Sequence, residues 1–196
     1  MEKKLSIRSF DTHLSEAEWD SLERFPVTAV LENIRSAFNV GSILRTADSA
    51  LIEKVVCCGI TAHPPHKKLE KTSMGALSHL PLEYDPVCPH AVESLKRNGY
   101  RVYAMETTNQ SRLLWDADFS LPAALVMGNE ALGVSREVLD MADEIVEIPM
   151  LGYKNSLNVG VAFGIAVYHL RRIFWDKFPR ESWIRKMNDW PAYIIG

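Results

Sequence analysis

Pro149–Tyr168 reads PMLGYKNSLNVGVAFGIAVY, and this stretch decides the fold. Its first half, Leu151–Asn158, is a polar, glycine-containing connection. From Leu157 to Tyr168 no residue carries a charge. That run is too short for a bilayer and suits a helix buried in protein. It is apolar on nearly every face, as a helix enclosed by protein should be. Gly160 and Gly164 stand four apart on one face, where they let another backbone come close, at a helix-propensity cost of roughly 1 kcal/mol each. Ser156 is expected to cap the helix, with Asn158 in its first turn, where unpaired N–H groups gather. Connection, cap and helix together make one wall of a small-ligand site.

Upstream, short apolar runs recur between turn residues. Pro26–Leu31, Lys54–Cys58, Leu77–Tyr84, Arg101–Met105, Ala123–Met127 and Glu144–Ile148 read as strands. Helices are expected from about Asn39 to Ala50, with Asn39 as cap, over His90–Asn98 ending at Gly99, and over Ser135–Met141 with Ser135 as cap. Apolar strands that alternate with helices argue for an α/β fold, a parallel sheet covered on both faces. Residues 1–25 read as an N-terminal arm with a short helix around Leu14–Trp19, residues 26–175 as the domain, and residues 176–196 as a tail. Trp175, Trp183 and Trp190 mark that C-terminal region.

The chain has 196 residues, 47% of them hydrophobic, enough for one domain with a real core. Cys57, Cys58 and Cys88 form no C-x-x-C pair and read as reduced thiols of a cytoplasmic protein. Met1–Arg8 is charged, with no apolar run behind it, so neither a signal peptide nor a membrane partner is expected. The net charge of −3 does not suggest a general nucleic-acid binder, though a local basic patch can still touch RNA. Thr61–Thr72 holds such a cluster, Lys67, Lys68 and Lys71, in what reads as a surface loop that could meet phosphate. His63 and His66 lie there too, but nothing completes a zinc set.

In parallel sheets, ligands gather beyond the carboxyl ends of the strands. Three such ends carry small or polar residues: Glu106-Thr107-Thr108, Gly128-Asn129-Glu130 and Pro149–Gly152. Gly128–Gly133 has glycines at P-loop spacing, yet Val134-Ser135 follows where Lys-Ser/Thr is required. There is no G-x-G-x-x-G, no G-x-S-x-G and no convincing Ser/His/Asp set.

Three blocks resemble the motifs of the TrmH (SpoU) family of SPOUT-superfamily RNA methyltransferases: NIRSAFNVGSILRTA at Asn33–Ala47, VMGNEALGVS leading to Ile148–Met150, and SLNVGVAFG at Ser156–Gly164. They stand in the family's order, and the likeness runs over roughly Val27–Arg172. The resemblance implies a C-terminal deep trefoil knot, a homodimer, S-adenosylmethionine as cofactor with S-adenosylhomocysteine as product, and methyl transfer to a ribose 2′-hydroxyl of tRNA or rRNA. It places the cofactor against Met105, Glu106, Thr107, Gly128, Ile148, Met150 and Leu157. Gly128 is expected to admit the cofactor closely.

The same resemblance puts Arg45 at the reaction centre, with Asn39, Glu130, Ser156 and Asn158 around it. A sulfonium methyl is already activated, so no metal is needed. A guanidinium almost never gives up its proton. Arg45 therefore reads either as the family's suggested base or as a holder of the adjoining phosphate, oriented by Glu130. RNA would touch Arg35, Arg45, Lys67, Lys68 and Lys71. Taken singly, each of these residues also has a plain structural reading as a solvated charge or a cap; their joint occurrence in three ordered blocks favours the site. One departure stands out: the family often reads SLNVS, and Gly160 replaces that serine. A binding module without activity and a base-methylating relative are the competing readings.

Overall fold

In the computed structural model, Ser15, Ala17, Trp19 and residues 21–177 are described. The arm before residue 15 and the tail with Trp183 and Trp190 lie outside the described residues, as do Glu16 and Glu18 of the short helix expected around Leu14–Trp19. Phe25–Arg172 forms one compact unit. Its elements run β1 (Phe25–Glu32), α1 (Ala37–Ser49), β2 (Ile52–Cys58), α2 (Lys67–Ser73), β3 (Leu82–Asp85), α3 (Cys88–Arg97), β4 (Arg101–Met105), β5 (Arg112–Leu113), β6 (Ala123–Met127), α4 (Arg136–Met141), β7 (Glu144–Glu147) and α5 (Val159–Ile173).

The seven strands form one sheet in the order β3-β2-β1-β6-β4-β7-β5, and every pairing is parallel. The central strands are buried because β1 and β6 are apolar almost throughout, as a strand covered on both faces must be. Val30, Val56, Val102, Ala104, Ala124 and Val126 point to one face, where Ala91, Val92 and Leu95 of α3 and Val138 of α4 meet them. The pleat sends Leu31, Tyr103 and Leu125 to the other face. Phe119 lies against Tyr103 there and against His169 of α5, which places α5 over that face.

Register decides where the site can be. Leu31 pairs with Met127, Met127 with Met105, and Met105 with Val146, so β1, β6, β4 and β7 end in line. Their following loops emerge side by side. From β1 the chain crosses towards β2 on one side of the sheet, and from β6 towards β7 on the other. The β1/β6 boundary is therefore a topological switch point, the place where open α/β sheets hold ligands.

Several expectations change. Helix α1 is capped by Ser36, whose side chain accepts from the Asn39 N–H, so Asn39 sits inside the first turn. The segment read as a basic loop contains α2. The strand expected over Leu77–Tyr84 is confined to Leu82–Asp85, behind a 3-10 turn at Ala76–Ser78. The two-residue edge strand β5 carried no signal of its own. Helix α5 begins later than expected, and Asn158 caps it in place of Ser156: its Oδ1 accepts from the N–H groups of Gly160 (2.9 Å) and Val161 (3.4 Å). Nor is α5 enclosed on all sides, since Val161 and Tyr168 are half exposed. The glycine pair does admit a close neighbour: a Cβ on Gly160 would lie 3.3 Å from Ser42 Oγ, and one on Gly164 3.7 Å from Thr46, so α5 lies along α1. The three cysteines are free and buried. Among the described residues no helix is long and apolar enough to cross a membrane.

Candidate active site

The loop after β6 is built first by its own backbone. Asn129 and Gly133 exchange N–H···O bonds of 3.0 and 2.8 Å, closing residues 129–133 into a tight turn. The Asn129 side chain, buried, accepts from the Ala131 and Leu132 N–H groups and donates 2.7 Å to the Asn33 carbonyl. Gly128 is required for this closure: a Cβ there would stand 2.3 Å from the Gly133–Val134 backbone. The space a side chain would need is taken by the chain itself, while Gly128 still lines the cleft described below. Gly133 has a left-handed φ of 70°, and the Glu106 carboxylate occupies the place a Cβ would need. Glu106 is a staple: Oε1 accepts from the Thr107 N–H at 2.9 Å and Oε2 from the Val134 N–H at 2.8 Å.

The loop after β1 is fixed as firmly. Glu32, buried, accepts from the Ser135 N–H at 2.9 Å. Asn33 holds a left-handed φ of 55° and accepts from the Ile60 N–H. Thr61 Oγ1, also buried, bridges the Ile34 N–H and the Leu31 carbonyl.

These two loops meet at Glu130. Its Oε2 accepts from the Arg35 N–H (2.9 Å), and its Oε1 accepts from the Ser36 N–H (3.1 Å) and from Asn39 Nδ2 (2.8 Å). Asn39 Oδ1 in turn accepts from Asn158 Nδ2 at 3.0 Å, and Asn158 Oδ1 caps α5. The direction of this chain is settled by chemistry. An ionised carboxylate only accepts and a helix N-terminus only donates, so both amides can face one way only. Burial pushes the Glu130 carboxyl up, but the donors of Arg35, Asn39 and Ser36 outweigh it and hold the group below its ordinary value.

Beside this chain opens a cleft of about 1040 Å³. Every residue expected at the cofactor lines it: Met105, Glu106, Thr107, Gly128, Ile148, Met150 and Leu157. So do Asn39, Glu130, Ser156 and Asn158. Met127, Val146 and Ala162 add apolar floor. Arg45 does not line it. It lies further along α1, exposed, six residues and about 9 Å of helix rise beyond Asn39. The expected pairing with Glu130 is not made, because backbone and Asn39 donors occupy that carboxylate. Arg45 faces a second depression with Lys71. Arg35 is exposed at the Glu130 loop, and Lys67 and Lys68 are exposed on α2 outside both cavities.

The matching family model, that of the SpoU rRNA methylases, spans residues 26–168. The chain belongs to the SpoU rRNA methylase family. It is 34% identical over 146 residues to the tRNA (guanosine(18)-2′-O)-methyltransferase of Thermus thermophilus, with 74% of each chain covered. It is 31% identical over 156 residues to a protein of Staphylococcus saprophyticus named for the TrmH family of tRNA/rRNA methyltransferases. There the match takes 80% of this chain but only 62% of the relative, so the chain spans about three fifths of the staphylococcal protein's length. The TrmH/SpoU tRNA modifying enzyme of A. aeolicus superposes with a TM-score of 0.72 at 27% identity, over 82% of this chain and 81% of that one. An rRNA methyltransferase of Sinorhizobium meliloti, solved with AdoMet bound, gives 0.70 at 27% identity, over 80% and 60%.

Two residues that organise this site were given no role of their own in the sequence, Asn129 and Asn33, although both lie inside the quoted blocks. A further signal was an asparagine standing just beyond a buried strand, a position where a side-chain amide can serve turn backbone.

Proposed function

We propose that this chain is an RNA methyltransferase that uses S-adenosylmethionine to methylate a ribose 2′-hydroxyl of structured RNA, tRNA before rRNA. It works as a cytoplasmic homodimer, with residues 26–175 as its catalytic domain and a deep trefoil knot in the C-terminal part. The observation that carries this reading is the Glu130–Asn39–Asn158 hydrogen-bond chain. It draws three blocks far apart in sequence to the mouth of one cleft at the switch point of the sheet.

The cleft suits the cofactor. Its volume is at the upper end of the roughly 300–1,000 Å³ of small-ligand sites. It pairs apolar floor at Ile148, Leu157 and Ala162 with polar rim at Glu106, Thr107 and Ser156. Bound there, S-adenosylmethionine supplies a methyl group already activated by its sulfonium, so neither metal nor covalent catalysis is called for. The chain's own residues supply position and electrostatics. Glu130, Asn39 and Asn158 hold the loops in one geometry. Arg45 holds the phosphate next to the target ribose and polarises its hydroxyl.

A homodimer fits two features: apolar side chains stand exposed beside the cleft, Leu151 at 95% and Tyr153 at 99%, and Arg45 lies outside the cleft it must serve. The knot fits the path of the chain, in which β6 enters between β1 and β4 and α5 returns to lie along α1. The tRNA preference follows the Thermus relative, which matches over equal shares of both chains.

The test is transfer of tritiated methyl from S-adenosylmethionine to total tRNA and, separately, rRNA, each from a strain lacking the gene. Label that survives in a 2′-O-methylated nucleoside after digestion is the expected result. Label in a base, or cofactor binding with no label in any RNA, overturns it.

A further inference from the structure

We infer that Glu147 reads the ribose of the cofactor: its carboxylate accepts from the hydroxyls of the adenosine, while Ser111 holds it in place. This rests on the proposed use of S-adenosylmethionine and adds to it a residue outside the expected site.

Three carboxyl side chains line the cleft, those of Glu106, Glu130 and Glu147, and no Lys, Arg or His is among the described residues that line it. Two of the three are already engaged. Glu106 accepts from two backbone N–H groups, and Glu130 from two more and from the Asn39 amide. Glu147, the last residue of β7, is partly buried. Its side chain has one hydrogen-bond partner among the described residues, the Ser111 hydroxyl, 2.9 Å from Oε2. That hydroxyl has a single hydrogen. It also stands 2.8 Å from the Thr108 carbonyl, while it accepts from the Thr108 N–H. Glu147 thus shares one donor with a carbonyl, and its Oε1 has no partner among the described residues.

An acceptor in that state constrains what can fill the cleft. Water serves it while the cleft is open. A ligand that displaces this water must bring a donor of its own, or strand a polar group at a cost. The neighbours of Glu147 decide which part of the ligand does so. Val146 and Ile148, on either side of it, belong to the apolar floor. Of the cofactor's parts, the flat adenine suits such a floor, and the ribose is bonded to it directly. The sulfonium and the amino-acid end lie beyond the ribose. Methyl transfer belongs at the cleft mouth, where Glu130, Asn39 and Asn158 meet. Strand β7 stands three strand spacings from β1, roughly 14 Å, and so on the far side of the cleft from that mouth. Two adjacent hydroxyls match a carboxylate with acceptor capacity to spare. Dinucleotide-binding folds hold ribose by the same chemistry, an acidic side chain accepting from its hydroxyl. Here the acid comes from β7, in a chain without the glycine fingerprint of those folds.

The experiment is calorimetry on the full chain with S-adenosylhomocysteine, its 2′-deoxy and 3′-deoxy forms, and 5′-methylthioadenosine, which keeps the ribose and lacks the amino-acid end. Glu147→Gln and Ser111→Ala are compared with the unaltered chain. Glu147→Gln is expected to weaken S-adenosylhomocysteine and methylthioadenosine alike, roughly tenfold. Ser111→Ala leaves the carboxylate but not its holder, and should cost about threefold. The deoxy forms give a readout that a merely structural role would not move. At least one of them should bind the unaltered chain roughly tenfold more weakly than the parent compound, and that difference should shrink to about twofold in Glu147→Gln. Full affinity in Glu147→Gln, or a deoxy penalty that survives in it, would overturn the inference. A loss confined to S-adenosylhomocysteine, with methylthioadenosine unaffected, would assign Glu147 to the amino-acid end and overturn it too. No binding of S-adenosylhomocysteine by the unaltered chain would instead remove the cofactor reading on which it rests.

Discussion

The cleft and the groove on the other side of Arg45, the depression lined by Phe38, Arg45 and Lys71, share helix α1 and differ in how their polar groups are settled. At the cleft, the carboxylates and amides that tie the loops after β1, β4 and β6 together have partners within the chain: Glu106 with Thr107 and Val134, Asn129 with three backbone groups, Glu130 with Arg35, Ser36 and Asn39. At the groove, Arg45 and Lys71 have none among the described residues. The first region is already organised and offers a ligand fixed surfaces. The second carries exposed charge, solvated in the free chain and open to a binding partner. On the proposed function, the difference separates rigid cofactor recognition from substrate recognition that is electrostatic and therefore sensitive to salt.

The sharpest way to break this comparison is Arg45→Ala. If the two regions divide the work, turnover falls on the order of 10²–10³-fold, as when one transition-state donor is removed. Cofactor affinity stays unchanged, because Arg45 does not line the cleft. Single-turnover rates and calorimetry measure the two separately. A variant that loses cofactor affinity along with its rate would merge the regions.

Gly128→Ala attacks the other side. The new methyl would meet backbone at 2.3 Å, with no flexible side chain to give way. A loss of about 2–3 kcal/mol in urea unfolding is expected, with cofactor affinity reduced as the 129–133 turn is displaced. Gly152→Ala is the matched control. Nothing lies within 4 Å of its Cβ position, so a change within about 0.5 kcal/mol is expected.

That pair also marks what the sequence could disclose. The α/β class and the ends of β4 and β6 followed from apolar runs between turn residues, because strands buried on both faces leave a composition that survives without context. Gly128, Glu130, Ile148, Met150 and Ser156–Asn158 of the cleft's lining lie in the three blocks, while Met105–Thr107 came with the resemblance as a strand end outside them. Sequence could not disclose why Gly128 is a glycine, since the constraint comes from Gly133–Val134 folding back upon it. Nor did it disclose Asn158 as the cap of α5: Ser156 and Asn158 both have side chains that can cap a helix, and the structure gives the cap to Asn158, which also bonds Asn39. Helix α2 was missed for a related reason. Its basic, weakly apolar segment is helical because Leu69 and Ser73 are buried and Thr72 meets Gly41, a tertiary contact that overrides local pattern.

Asn39→Ala cuts the chain between Glu130 and Asn158, leaving a carboxylate short of one donor and an amide without its acceptor. The expected cost is about 1–2 kcal/mol of stability, with a parallel weakening of cofactor binding, since both ends of the chain line the cleft. Retained cofactor affinity in this variant would show that the loops are held by the backbone bonds to Glu130 alone. Acid should act on the same point with a smaller effect. Glu130 titrates below its ordinary value of 4.5 in the folded chain, so its contribution is complete above that value and is lost as pH falls through the lower folded one. The size is modest because the group is exposed to solvent screening. Fluorescence-monitored stability across that range, compared with Glu130→Gln, should lose its acid-dependent step in the variant.

The smallest expected effect belongs to Gly160→Ser, which restores the hydroxyl common in the family. Three terms compete. A serine is better than glycine inside a helix by a few tenths of a kcal/mol. Its Cβ would lie 3.2 Å from Asn158 Oδ1 and 3.3 Å from Ser42 Oγ, tight on both sides. Ser42 is exposed at the surface of α1 and can rotate its hydroxyl away, so the crowding can be relieved on that side. On the other side a serine hydroxyl can donate to Asn158 Oδ1, which already accepts from two N–H groups. The terms nearly cancel, and a stability change within about 0.5 kcal/mol is expected, with methyl transfer kept to within about twofold. A larger loss of transfer without a loss of stability would show that α5 must approach α1 closely for the Asn39–Asn158 bond to hold, which would tie the geometry of the cleft to the same helix contact that shapes the groove.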